Sequence, residues 1–168
     1  MWKGEVVGIF IRSVQSCPTQ EVVRVRAVPG RGLEGDYFYT QITDQASLSG
    51  SDQEITLIEI ESLESVYLEY DVALTMGESR RNIITRQVPL NNLVGKQFKI
   101  GEVTLQGIRL CEPCSHLAEL TQKKVLPSLV HRGGLRAKIL NEGTLQTGDP
   151  VLPIEHALDK GGVRCIVC

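Results

Sequence analysis

No run of apolar residues in this 168-residue chain approaches the ~18–20 needed to cross a bilayer. The first ten residues have neither the basic start nor the long apolar stretch of a secretory leader, so the expected compartment is the cytoplasm. Aromatic residues are scarce, at 5% with a single Trp, and few are placed to stack bases. With basic residues scattered rather than clustered, that argues against nucleic acid as partner. There is no repeat period and no low-complexity tract. Charge of one sign is also lacking overall, at net −2. Five Cys is an odd number in a chain long enough to fold without staples. A disulfide framework is therefore not expected, and the thiols read as reduced.

What is present is ordinary in amount and uneven in placement. Residues 1–84 carry seven basic and 13 acidic side chains, a net of −6, and residues 85–168 carry 11 and 7, a net of +4. From Arg80 to Lys138 there are 11 basic and 3 acidic residues, a net of +8, a field that can attract an anion.

Apolar periodicity predicts short strands over Val6–Ile11, Glu21–Val28, Glu54–Ile60, Gln97–Ile100, Val103–Leu110 and Leu135–Leu140. In the second of these, Val23, Val25 and Ala27 fall on one face and Arg24 and Arg26 on the other. A long polar loop is expected over Arg31–Gln53. One helix has a clear stripe, Leu63, Val66, Tyr67 and Tyr70. Ser115–Leu120 reads as a short helix with Ser115 as its cap. Strands outnumber helices, which predicts a mainly β (α+β) fold, a β-barrel or strongly bent sheet with short peripheral helices. The expected division is a domain over 1–152 and a tail over 153–168.

Two Cys pairs share one spacing, Cys111-Glu112-Pro113-Cys114 and Cys165-Ile166-Val167-Cys168. Four thiolates suit a tetrahedral structural zinc, and a zinc-stabilised binding module is one reading. The 50 residues between the pairs exceed the ~15–20 of the common zinc pattern. The other reading singles out Cys114, between a strand end and a helix start, with Arg109, His116 and Arg132 as cationic neighbours that would favour a reactive thiolate. Such a thiolate binds a soft metal or carries sulfur.

Seven segments occur in one order: Gly32-Leu33-Glu34-Gly35-Asp36, Ile55-Thr56-Leu57-Ile58-Glu59, Arg80-Arg81-Asn82-Ile83-Ile84, Leu93-Val94-Gly95 with Phe98-Lys99-Ile100-Gly101, Cys111-Glu112-Pro113-Cys114 with Leu117, Arg132-Gly133-Gly134-Leu135-Arg136-Ala137, and Gly148-Asp149. The series resembles the MOSC domain, the module named for the C-terminal part of molybdenum-cofactor sulfurases. The likeness runs from about Glu5 to Leu152. It implies a barrel-like β fold and a role with the molybdenum cofactor (molybdopterin), either binding it or handling its terminal sulfur. By that resemblance Cys114, after Pro113, is the reactive Cys and the metal ligand. Arg81 and Asn82 match a neighbourhood that helps hold the cofactor, and Asp36 matches the Gly-Asp of the first long loop. Tyr37-Phe38-Tyr39 follows that Asp, where many members place a basic residue or His.

The residue chemistry runs parallel to the resemblance. Arg81, Arg132 and Arg136 have the forked donors a phosphate takes. Gly133 and Gly134 would let backbone amides approach an anion, or serve as a plain turn. Arg81 alternatively pairs with Glu78, and Asn82 ties a turn. Two activities follow as expectations: a molybdenum-cofactor protein reducing N-hydroxylated compounds with electrons from a partner protein, or a sulfur carrier holding on Cys114 a persulfide delivered by a cysteine desulfurase. Pyridoxal phosphate would then belong to that partner or to larger family members, since this chain has no room for such a domain.

Overall fold

The computed structural model describes residues 1–41 and 54–154. The second half of the predicted loop and residues 155–168 of the predicted tail, Cys165 and Cys168 among them, lie outside the described residues, while Pro153, expected in the tail, ends β11. The strands are β1 (Gly4–Ile11), β2 (Gln20–Glu21), β3 (Arg24–Val28), β4 (Gly32–Leu33), β5 (Ile55–Glu59), β6 (Ile83–Arg86), β7 (Gln97–Ile100), β8 (Val103–Leu110), β9 (Leu135–Ile139), β10 (Gly143–Gln146) and β11 (Pro150–Pro153). The helices are α1 (Tyr37–Gln41), α2 (Ile60–Tyr70), α3 (Ser115–Leu120) and α4 (Val125–Ser128).

Seven strands close on themselves in the order β1-β11-β7-β8-β9-β5-β6, with β6 returning to β1. The closure joins the two ends of the chain's described part, Gly4 opposite Val151. Every neighbouring pair is antiparallel except β5 and β6, which run parallel. A parallel pair needs a crossover connection, and α2 supplies it. The predicted mainly β barrel with short helices outside it is the observed architecture. β2 extends the sheet beside β1, and β3, β4 and β10 form a separate three-stranded sheet.

Strand alternation sends one set of side chains inward. On β9, Leu135, Ala137 and Ile139 are buried while Arg136 and Lys138 face out. Ile9, Leu57, Ile83, Phe98, Ile100, Leu105 and Val151 fill the same interior and are wholly inaccessible. A barrel of about eight strands is just wide enough for its own side chains. The interior here is therefore packed, and any ligand site must lie outside it or at its rim.

A second core covers the outer face of β1, β5 and β6. Phe10, Ile58 and Ile84 point outward from these strands and meet Leu63 and Val66 of α2, Leu117 of α3, and Val125 and Leu129 around α4. Sheet strands covered on both faces read as continuous apolar runs, which is why Ile83-Ile84 and Leu57-Ile58 pair two Leu or Ile residues in sequence. The packing of Leu117 fixes α3, and with it Cys114, against the barrel wall.

Three local expectations change. Val23 is exposed, because β3 starts only at Arg24 and the inward set is Val25 and Ala27. On α2 only Ser62, Leu63 and Val66 are buried, while Tyr67 and Tyr70 are 55% and 40% exposed. The residue at the N-cap of α3 is Cys114 rather than Ser115, in extended conformation and with no side-chain capping bond.

Candidate functional site

The cysteine-bearing connection leaves β8 at Leu110 and enters α3 at Ser115. Cys111 is buried and Cys114 exposed, and both are free thiols. They open on one cavity of about 120 Å³. Its wall holds four guanidiniums, from Arg12, Arg80, Arg81 and Arg136. Phe38, Thr56, Asn82, His116 and Leu117 complete it.

The arginines are held in different ways. Arg81 is buried and donates from Nε to the Gly133 carbonyl at 2.8 Å, and from its two terminal nitrogens to the carbonyls of Ser79 and Cys111, each at 3.2 Å. The alternative pairing of Arg81 with Glu78 does not form; the Glu78 carboxylate instead accepts from the Thr75 amide at 2.8 Å. Arg80 has a left-handed backbone, with φ 58°, and spans two carbonyls, Cys17 at 3.0 Å and Gln15 at 2.5 Å. Arg12 lies 5.3 Å above the Phe38 ring, and its Nε is buried with no hydrogen-bond partner. The Nε2 of His116 is likewise buried and unpartnered.

This crowding has an electrostatic cost. Burial lowers the Arg12 pKa, Asp36 partly offsets that, and Arg81 lowers it further. Burial lowers that of Arg80 too, and the Arg12 charge adds to the effect. Arginine does not give up its proton in proteins, so the charges persist and repel. An anion entering the cavity would relieve both the repulsion and the lost solvation.

Of the residues predicted from sequence, Cys114, Arg81, Asn82 and Arg136 meet in this cavity. Asp36 sits behind it. Its carboxylate accepts from the Arg12 amide at 3.0 Å, the Phe38 amide at 3.3 Å and the Asn82 side chain at 3.5 Å. The Asn82 amide group also receives the Thr56 amide and hydroxyl and donates to the Phe10 carbonyl. Asn82 and Asp36 thus tie β1, β5 and β6 together beneath the arginines.

Arg132, Gly133 and Gly134 are not in the cavity lining. Arg132 places its fork on Glu69, at 3.0 and 2.7 Å, with Nε on the Ser128 carbonyl and the Tyr70 ring 5.6 Å away. That pairing raises the Arg132 pKa and lowers that of Glu69. At Gly133 and Gly134 a side chain would strike the backbone carbonyls of Cys111 and Leu57. The two glycines allow close backbone packing and hand Arg81 its carbonyl. Replacing Arg132 with Ala is accordingly expected to leave the alkylation rate of Cys114 by iodoacetamide within about twofold of the parent. A tenfold change would place Arg132 in the site after all.

The +8 stretch also disperses. Arg86, Lys96, Lys99, Arg109, Lys123 and Lys124 are exposed, and only Arg80, Arg81 and Arg136 reach the cavity from it. The fourth cation, Arg12, comes from the acidic half and was not legible, since nothing near it marks its position. Arg80 had a signal, the tandem Arg80-Arg81. The cationic residues that share the cavity lining with Cys114 are Arg12, Arg80, Arg81 and Arg136, and α3 behind it has only six residues. Among the described residues no group of three His, Cys, Asp or Glu could hold a metal ion. A metal at Cys114 would have to bring other ligands with it. No helix among the described residues is long and apolar enough to cross a membrane.

A closed, side-chain-filled β-barrel carrying an exposed thiol on a cationic cavity at its outer wall defines the class. The MOSC domain family model matches residues 44–152, and the chain belongs to that family. Among solved structures, the YuaD protein of Bacillus subtilis superposes with a TM-score of 0.75 at 17% identity, covering 90% of this chain and 97% of that one. YiiM of Geobacillus stearothermophilus gives 0.68 at 18%, covering 92% and 77%. YiiM of Escherichia coli gives 0.66 at 16%, covering 95% and 72%. At such identities the likeness is one of fold. No curated protein matches the chain.

Proposed function

We propose that this protein binds the molybdenum cofactor with Cys114 as the thiolate ligand of the metal. The observation that carries the reading is the exposed Cys114 thiol on a wall of four arginines, beside two buried nitrogens that have no partner, Arg12 Nε and His116 Nε2. The donor set fits the group. The cofactor is anionic, its metal takes a soft sulfur ligand, and guanidiniums suit its phosphate and oxo groups. Arg12, Arg80 and Arg136 would hold the anionic part, while Arg81, Asn82 and Asp36 brace the wall. When bound, the cofactor supplies two-electron chemistry such as the reduction of N-hydroxylated compounds. Electrons would come from a partner electron-transfer protein. Free thiols at Cys17, Cys111 and Cys114 support work in a reducing compartment, the cytoplasm.

One observation favours a second reading. The cavity, about 120 Å³ and partly open to solvent, is below the ~300–1,000 Å³ of pockets that bury drug-sized ligands. A persulfide on Cys114 fits it more easily than a whole pterin, and the exposed thiol is open to a cysteine desulfurase acting as donor.

Protein purified from a molybdate-supplied host is expected to carry molybdenum and pterin in near-equal amounts, and Cys114→Ser to lose the metal. Absence of both from the parent chain would overturn the cofactor reading. A sulfur adduct on Cys114 after incubation with a desulfurase and cysteine would then establish the second.

A further inference from the structure

The cavity beside Cys114 has three properties that together select a ligand. It is small, about 120 Å³. Its charge is fixed: Arg81 and Arg80 are pinned by five hydrogen bonds to backbone carbonyls, so their guanidiniums stay at the wall whether or not anything is bound. It also includes a cation with an unmet hydrogen bond, Arg12, whose Nε is buried without a partner. Desolvated, mutually repelling cations around a small space favour a compact oxyanion over an extended one. Any oxyanion would satisfy the arginines. The free Cys114 thiol on the same wall adds a match for an oxyanion that also carries an electrophilic sulfur.

We propose that this cavity is a sulfane-sulfur transfer site whose donor is thiosulfate. This deepens the persulfide reading of Cys114 and rests on it, by naming a small-molecule donor that needs no desulfurase. The Cys114 thiolate attacks the terminal sulfur of thiosulfate. An Sγ–S bond forms, the S–S bond of thiosulfate breaks, and its electron pair leaves on sulfite. The products are the Cys114 persulfide anion and sulfite. Total charge is unchanged, and no oxidant or reductant is consumed. Negative charge builds on the sulfonate oxygens as sulfite departs, and the arginine wall is positioned to stabilise it. A thiolate acceptor then attacks the outer persulfide sulfur, takes it as its own persulfide, and returns Cys114 to the thiolate.

The test uses the full reduced chain and thiosulfate at a pH near the ordinary thiol pKa of about 8.5. Expected are a burst of one sulfite per chain and an intact mass greater by one sulfur atom on Cys114, removed by dithiothreitol. Cys114→Ser should give neither, and Cys17→Ser should give both. Sulfate, which has the oxyanion without the sulfane sulfur, is expected to slow alkylation of Cys114 in the parent chain. Arg12→Gln is expected to raise the half-saturating thiosulfate concentration about tenfold, the scale of one lost charge-assisted hydrogen bond. If the desulfurase loads Cys114 and thiosulfate does not, the donor assignment fails and the persulfide reading survives. If neither loads it, both fail. Saturation by thiosulfate that is unchanged in Arg12→Gln, with no protection by sulfate, overturns the oxyanion site.

Discussion

Replacing Arg81 with Ala should destabilise the protein by about 3–5 kcal/mol, near the top of the range for one substitution. The side chain is 8% exposed and donates to three backbone carbonyls, those of Ser79, Cys111 and Gly133. Truncation leaves those acceptors without a donor in a largely dry place. Each orphaned group costs about 1–3 kcal/mol, reduced where water enters the vacated space. For a chain of this length the corresponding fall in Tm is roughly 10 °C. Arg81→Lys should recover less than half, because one ammonium on a flexible stem cannot reach three carbonyls set in a planar fan. Urea unfolding measures the effect. A loss below about 1 kcal/mol would mean that the three bonds do not brace the site. The consequence reaches the chemistry, since Cys111 and Gly133 are the two backbone points that bring the cysteine segment against the start of β9. The amide of Cys111 donates to the Gly134 carbonyl at 2.7 Å, so the segment is tied from both sides.

How much of this was legible depends on how local each signal is. β1, β5, β7, β8 and β9 fall within a few residues of their expected bounds because alternation is written in neighbouring residues. Barrel closure is not local. Gly4 meets Val151 across almost the whole chain; the count of short strands left a barrel and a strongly bent sheet both open, and the resemblance to a known family pointed to the barrel. The stripe on α2 was legible as a helix, but not how far along it a covering partner reaches, so Tyr67 and Tyr70 were placed in the stripe and are exposed. Arg132 illustrates the same limit in the site. Its forked donors suit a phosphate, and 63 residues away Glu69 offers the same chemistry first. Arg12 is the converse. It follows β1 with no flanking motif, and only the pairing of β1 with β6 brings it beside Arg81. The resemblance singled out Asn82 and Asp36, and the structure puts Asn82 on the cavity wall with Asp36 next to it. Their bonds to Thr56, Phe10 and Arg12 show what they do there, which is to hold three strands under a set of repelling charges.

Gly134→Ala should be the most damaging single methyl addition at this wall, costing more than about 4 kcal/mol or abolishing soluble expression. Two effects combine. The residue has φ +105°, outside the regions an L side chain adopts readily. A Cβ built there falls well inside contact distance of the Leu57 carbonyl oxygen on β5. That oxygen cannot swing away, since Leu57 is fixed between two strands, opposite Ile83 of β6 and Leu135 of β9. Relief would require β9 to move off β5, opening the barrel next to Arg81 and Cys111. The two effects can be separated with Gly95, which has φ +76° and nothing within 4 Å of its would-be Cβ. Gly95→Ala should cost only the backbone strain, about 1–2 kcal/mol. Urea midpoints of the two variants then measure the steric part by difference. Equal losses would show that the conformation alone, and not the approach of β9 to β5, requires glycine at 134. A large excess at 134 would show that the Gly133-Gly134 pair is needed for the close packing that hands Arg81 its carbonyl and seats the cysteine segment against the barrel.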